Sequence, residues 1–444
     1  MIVVVGGGLA GLHIARSLTN TGHTVHVFES RKTPGGRIHT DDERQYEAGP
    51  WRVARTHLRV IRLLSEMGIV LLPVSTPTPA YGEGPEPVPG LSIWDVSALQ
   101  TRDPLKADKV DLSTSYADET HAASGSAPYA TNTKEYYYAP EGFSRLPERL
   151  ADGLDMHYDH RVVDVTKQGS KYAITISHRE KGNTFSTFVV KCKTLFVCVP
   201  PSACKEWTIF REHARSTMNA VMEGQLHHIY AEDERFPRNH HALHPHSLLS
   251  QTISSQFEYS DYFQISYTGG RVANFWQHLK LQSPTTFFKL LKDELKRVMG
   301  FRLASNADIR SHHWPVGYHA WRTVPDFDLQ KSVNLSIEPS PRLLPNVYIA
   351  GEAFSSHQAW MEGALETADL ALERFHNPKP LRALRETDTT VDGCVVNVTK
   401  WMHVHPGGKG AISNYKGQDL SGLLSHIGHS THAWAVAHSL KVSK

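Results

Sequence analysis

Ile2-Val3-Val4-Val5-Gly6-Gly7-Gly8-Leu9-Ala10-Gly11-Leu12, followed by Thr24-Val25-His26-Val27-Phe28-Glu29, decides the fold. Four consecutive apolar, mostly β-branched residues suit a parallel strand buried on both faces, so Ile2–Val5 reads as one. Apolar residues from Leu12 to Leu18 recur at helical spacing, and Thr24–Glu29 is a second strand, which completes a βαβ unit. Gly6, Gly8 and Gly11 stand between them in G-x-G-x-x-G order. Gly6 permits the tight turn, Gly8 lets backbone approach a pyrophosphate, and Gly11 allows helix and strand to pack closely. The phosphates belong at the free N–H groups of the helix N-terminus. Glu29 ends the second strand, where its carboxylate can accept from ribose hydroxyls. The unit predicts dinucleotide binding and leaves NAD and FAD open.

The rest of the composition is ordinary. The chain has 444 residues, which suggests two to four domains. Apolar residues make up 40% and charged residues 21%, so wholesale disorder is excluded. The charge balance, 47 − 45 = +2, implies no field for nucleic acid. No apolar run is long enough for a membrane span. With the first strand at Ile2, no leader peptide is expected. Cys192, Cys198, Cys204 and Cys394 make neither a disulfide framework nor a metal knuckle, so a cytoplasmic location is expected. The 28 histidines raise a metal or haem question.

Prolines at 73, 77, 79, 85, 87 and 89 predict an extended surface loop, and Gly125–Thr133 predicts another. Arg161–Val165, Tyr172–Ser177, Thr187–Lys191 and Thr194–Val199 read as strands, as do Gln225–Ala231 and Tyr262–Tyr267. Thr285–Met299 is an amphipathic helix with Phe288, Leu291, Leu295 and Val298 on one face. Val347–Ala350 is a buried strand before a helix from about Met361 to Phe375. His240, His241, His244 and His246 lie in an apparent loop between Pro237 and Pro245. No carboxylate or cysteine completes a tidy site there, and no metal is expected.

Further segments carry a resemblance. They are Gly35-Gly36-Arg37, Glu47-Ala48-Gly49-Pro50-Trp51, Leu195–Pro201, Asn346–Glu352 and Met361–Glu366. In this order and spacing they resemble the FAD-dependent amine oxidase family over about residues 1–376. The resemblance implies FAD held by Gly6, Gly8, Gly11 and Glu29. It implies Arg37 on the pyrophosphate, Val162 or Val163 beside the adenine, and Glu352 on the ribityl chain. It also implies hydride removal from a carbon bearing nitrogen, with two aromatics flanking the substrate. Trp360 falls at one of those positions, and Tyr318 or Trp321 supplies the other. The family's flavin-facing lysine is missing from Gln225–Ala231, where His228 stands at its place and would carry a pH-dependent charge. No cysteine lies in Pro315–Trp321, so FAD should be non-covalent.

The tail resembles a second family. Val395–Trp401 leads to His405-Pro406-Gly407-Gly408, and Gly428-His429-Ser430 follows. This is similar to cytochrome b5, which implies His405 and His429 as axial ligands of a haem b. The match covers about 391–440, and its closing strand is expected to be clipped.

The expected fold class is α/β: a Rossmann-type FAD-binding domain with a mixed α+β substrate domain, plus a small α+β cytochrome b5-like C-terminal domain. The FAD domain takes 1–72, 140–205 and 338–376; the substrate domain takes 73–139 and 206–337. A linker spans 377–390, and 391–444 is the haem domain. The expected function is oxidative deamination of a small-molecule amine or amino acid, with dioxygen or a one-electron acceptor protein as partner and electron relay to the haem. Alternatives are an FAD-dependent desaturase, isomerase or protoporphyrinogen-oxidase-like enzyme, and a non-catalytic flavin- or haem-binding interaction protein.

Overall fold

The computed structural model describes residues 1–74, 136–180, 184–322 and 324–442, apart from positions 239, 245, 246, 256, 258, 259, 325, 326 and 416. Most of the proline-rich stretch, all of Gly125–Thr133, and His246 lie outside the described residues. Pro73 itself pairs with Tyr137 in a short strand rather than opening a loop.

The glycine-rich unit is built as the sequence predicts. Strand β1 (Ile2–Val5) leads through the glycines to helix α1 (Leu9–Asn20) and returns as β2 (Val25–Phe28). Three later segments join this sheet: β3 (Asp155–His157), β4 (Thr194–Val197) and β5 (Val347–Ile349). The order is β5-β4-β1-β2-β3, all parallel. Both faces of the central strands are covered, which is why β1, β4 and β5 are almost wholly apolar, while the edge strand β3 is not. Val4, Val27, Phe196 and Tyr348 face α1 and a second helix, α2 (Met361–His376). Val3, Val5, Phe28 and Ile349 face a three-stranded antiparallel sheet of His160–Gln168, Lys171–Arg179 and Phe185–Cys192.

The second large sheet is antiparallel. Its order is His241–His244, Ser250–Ile253, Tyr262–Gly269, Val221–Glu232, Ile309–Trp321. The predicted histidine loop is thus an edge strand in part. His240 and His244 are each bonded to Thr252 Oγ1, at 2.8 and 2.9 Å, and His241 to Gln251 at 3.1 Å. Two helices, Gly270–Gln282 and Pro284–Met299, close one face of the sheet. The second helix buries Phe287, Leu291 and Leu295; Phe288 is 39% exposed. The i, i+4, i+8 row starts one residue earlier than the sequence suggested, because Phe287 meets Trp276 edge-on.

The tail is small and docked. Thr390–Val391 and Cys394–Val395 pair, so a strand begins at the end of the expected linker. Val396 bridges Lys441 in antiparallel sense, which supplies the closing edge expected to be clipped. Asp392 Oδ2 accepts from the Ser216 N–H at 3.0 Å and lies 3.4 Å from the fully buried Lys441 ammonium. Ala435 and Val436 pack on Val324, and His438 stacks over Trp321 at 6.4 Å. Buried contacts therefore fix the tail against the flavin-side core. Among the described residues no helix is long and apolar enough to cross a membrane.

Candidate functional site

The loop after β1 is constrained at two glycines and open at a third. Gly6 has φ +105°, and a Cβ there would lie 2.6 Å from the Cys198 carbonyl oxygen. A Cβ on Gly11 would lie 2.0 Å from Gly6 O. At Gly8 an added Cβ meets nothing within 4 Å. Gly6 and Gly11 are thus architectural, while Gly8 faces open space. The α1 N-terminus there has no side-chain cap and no acid in its first turn. Its free donors suit an anion. Gly35 folds over the loop, donating its N–H to Gly7 O at 2.8 Å. The buried Glu29 carboxylate accepts from Gly7 N at 2.7 Å and Arg31 N at 2.8 Å. These features fit a dinucleotide.

Arg37 and Glu352, 315 residues apart, are in direct contact. Arg37 also donates to Gly317 O at 3.0 Å. Glu352 further accepts from His319 at 2.6 Å and Ala359 N at 2.9 Å. Arg37 is therefore engaged by a carboxylate and a backbone carbonyl in this structure. Burial alone would raise the Glu352 carboxyl, but Arg37 and then His319 outweigh it and hold it well below its usual range. His319 Nε2 lies 3.6 Å from Glu223, completing an Arg37–Glu352–His319–Glu223 chain. Between two carboxylates, His319 is raised above an ordinary histidine despite its burial. Sequence reading missed His319 and Glu223. Strand alternation across Gly317-Tyr318-His319 was the one available signal.

The sequence-named pocket residues do not converge on one cavity. Trp321 is 1% exposed, its indole N–H donates to Ser355 O at 2.9 Å, and Phe354 and His438 cover it. It is a core aromatic, which corrects its reading as a substrate wall. The Tyr318 ring lies across Gly224, where a Cβ would sit 2.0 Å away. Trp360 is half-buried, edge-on to His57 at 4.8 Å. His228 is 2% exposed, within 3.3 Å of the Tyr230 hydroxyl and edge-on to Tyr267. Burial, with His312 and His227 adding, pushes its pKa down to about 3. It is a neutral imidazole rather than a pH-dependent cation. Val162 is buried in its strand and Val163 is 44% exposed.

A small, partly open chamber lies elsewhere. Tyr46, Trp51, Tyr138, Tyr230, Phe257 and Tyr262 give it aromatic walls, and Gln264 and Glu47 add polar groups. Tyr46 and Tyr230 stack at 4.2 Å. Glu47 accepts from Phe143 N at 2.7 Å and Thr40 at 3.0 Å, and burial pushes its carboxyl up to about 8. Beside the wall, Arg52 is sandwiched between Trp51 and Tyr136, 4.4 and 4.1 Å from their ring centres. One of its terminal nitrogens is buried without a hydrogen-bond partner.

The cradle, the buried Glu352 and the antiparallel second sheet agree with what comparison shows. The flavin containing amine oxidoreductase family matches residues 102–373. The chain belongs to that family. An NAD(P)-binding Rossmann-like domain matches residues 4–64, and a cytochrome b5-like heme/steroid binding domain matches 386–444. A possible lysine-specific histone demethylase 1 of Drosophila melanogaster is 34% identical over 91 residues, 20% of this chain and 10% of that protein. The L-amino-acid oxidase of Bothrops pauloensis is 39% identical over 74 residues, 16% of this chain and 15% of that one. The matched stretches are thus a small part of these relatives' length. A putative protoporphyrinogen oxidase from Exiguobacterium sp. 255-15 shares the fold, with TM-score 0.61 and 13% identity over 85% of this chain and 99% of its own.

At the tail, the His405 and His429 rings face each other with centres 6.3 Å apart and planes 27° apart. Metal–imidazole bonds of about 2 Å put two axial rings about 6 Å apart, centre to centre. The pair fits one iron between them. His429 Nδ1 is buried without a partner, and His405 Nδ1 accepts from Gly407 N at 3.2 Å.

Proposed function

We propose that the chain oxidises an amine or amino acid at the carbon bearing nitrogen, with non-covalent FAD in the glycine cradle and electrons leaving through a haem on His405 and His429. The observation that carries this reading is an open nucleotide cradle at Gly8 together with an aromatic-walled chamber at Tyr46, Trp51 and Tyr230 in one family fold. When bound, FAD supplies a hydride acceptor and haem a one-electron acceptor. The protein's own part is binding and orientation. Tyr46, Tyr230 and Trp51 offer faces that hold a nearby cation or an apolar body and exclude water. With Glu47 raised to about 8, the chamber is mostly uncharged at neutral pH and disfavours a fully charged ammonium. The substrate nitrogen then enters neutral, and no strong base is required. Trp360 and Tyr318 stand outside the chamber's lining, and His228, beside Tyr230, would act as a neutral hydrogen-bonding group. Burial raises the Cys198 and Cys204 thiols and so disfavours their reactive thiolates, which supports a non-covalent flavin. Arg52 favours the amino-acid branch: a buried guanidinium with an unpartnered nitrogen beside Trp51 suits a carboxylate.

Anaerobic mixing with panels of amines, amino acids and tetrapyrroles tests the reaction. Amines or amino acids should bleach the flavin, and Arg52→Met should abolish bleaching by amino acids alone. Bleaching only by tetrapyrroles would establish the protoporphyrinogen-oxidase-like alternative. No bleaching by any panel favours the non-catalytic reading. Acid precipitation should leave all yellow colour in the supernatant. His405→Ala should lose the six-coordinate haem spectrum and cytochrome c reduction while retaining FAD and substrate bleaching.

A further inference from the structure

β3 is only three residues long, yet it places a chemically specific group at the edge of the nucleotide-binding sheet. It runs parallel to β2 with His26 beside Asp155 and Phe28 beside His157. Side chains alternate along a strand, so Met156 turns to the core while Asp155 and His157 share the opposite face with His26. His26 Nδ1 lies 2.8 Å from Asp155 Oδ2, and His157 Nε2 lies 3.2 Å from Asp155 Oδ1. One ligand atom from each residue falls within 4.8 Å of the other two. His157 Nε2 is shut off from solvent and faces the carboxylate without the geometry of a hydrogen bond. The ring is fixed by stacking on Phe28 at 4.8 Å.

The structure assigns to His26, Asp155 and His157 a binding site for a divalent first-row transition cation, separate from the haem histidines. Two imidazoles and one carboxylate are a donor set such ions take, with solvent filling the remaining positions. Bonds of about 2.0–2.1 Å in a tetrahedral shell put neighbouring ligand atoms about 3.3 Å apart. The 2.8 and 3.2 Å contacts run to different oxygens of Asp155; with one ligand atom per residue all separations lie within 4.8 Å, so closing on an ion needs side-chain shifts of about 1.5 Å at most. Asp155 is 53% exposed, which gives the ion a way in and a solvent-facing position. His160 stands behind His157, its ring 5.6 Å away and its Nδ1 donating to Tyr158 O at 2.6 Å.

The ion would staple the edge strand to β2. Glu29 N donates to His157 O at 2.9 Å and His160 N to Glu29 O at 2.8 Å. Glu29 is therefore gripped by the same segment, and its carboxylate holds the glycine loop. Metal binding should brace the ribose end of the cradle.

The test uses full-length protein carrying FAD, supplied with haem, stripped with EDTA and desalted. Zinc chloride is titrated by calorimetry, and melting is followed with and without zinc. Wild type should bind one zinc more than Asp155→Asn or His26→Gln, and its zinc-dependent rise in Tm should shrink in both. His240, His241, His244, His405 and His429 are unchanged in the variants, so zinc bound there cancels. Asp155→Asn keeps shape at a half-exposed position, so its metal-free melting should match wild type. Equal zinc stoichiometry in wild type and both variants overturns the assignment.

Discussion

The glycine cradle and the docked tail are built to hold a ligand by opposite means. In the cradle, backbone does the holding: Gly11 is needed because a Cβ would sit 2.0 Å from Gly6 O. In the tail, side chains would do it: two imidazoles 6.3 Å apart on a domain docked through Asp392, which accepts from Ser216 N. A backbone site tolerates nothing at its tight glycines. A side-chain site depends on contacts made far along the chain. Substitutions in the two regions should therefore fail differently.

The largest effect is expected at Gly11. Gly11→Val puts a branched side chain against a carbonyl oxygen, overpacking that costs about 3 kcal/mol or more. Purification should yield no yellow protein. Gly8→Ala sharpens the point, because its Cβ meets only open space. Its apoprotein should melt like wild type while FAD binds at least ~10-fold more weakly, about 1.4 kcal/mol. Equal FAD affinity would place the phosphates away from Gly8.

The next effect belongs to the tail. Asp392 meets Ser216 across 176 residues of sequence and Lys441 across 49. Asp392→Ala strands a fully buried ammonium, a change that typically costs about 3–5 kcal/mol. Limited proteolysis should then cut between Asn377 and Glu386 much faster, with FAD still bound. Asp392→Leu combined with Lys441→Met should recover most of the loss, since a hydrophobic pair is an adequate substitute for a buried ion pair. If the double variant is as protease-sensitive as the single one, the pair has a role beyond charge compensation.

The same contrast explains what the sequence revealed. The βαβ opening, Glu29 and the paired histidine motifs are local patterns, and local sterics or spacing make them visible. Trp321 misled because its cover, His438, lies more than a hundred residues away in what read as a separate domain. The chamber was hidden for a related reason. Tyr46, Tyr230 and Tyr262 come from three strands, and only sheet pairing reveals that they share a wall. Phe288 was misassigned by one residue because the helix rotates to fit Phe287 against Trp276. Periodicity fixes a face only to within such a step.

The smallest effect expected is a pH dependence at the seam between the cradle and the second sheet. His319 is raised above the ordinary value of about 6.5 by Glu352 and Glu223, against its own burial. The folded state therefore binds a proton more tightly than the unfolded chain. That stabilisation is fully present below about pH 6.5 and is lost as pH rises through the elevated folded value. Glu352 and Glu223 are lowered, so their contribution has the opposite window: present above about pH 4.5, the usual carboxyl value, and lost as acid protonates them. Stability from this chain of groups should plateau between those limits and decline on the alkaline side. Melting of the FAD-loaded protein between pH 6 and 9 measures it, with His319→Gln as reference. The wild-type Tm should fall more steeply than the variant's across that range. Parallel curves would mean that His319 carries no extra proton, and that Arg37 alone balances the Glu352 carboxylate.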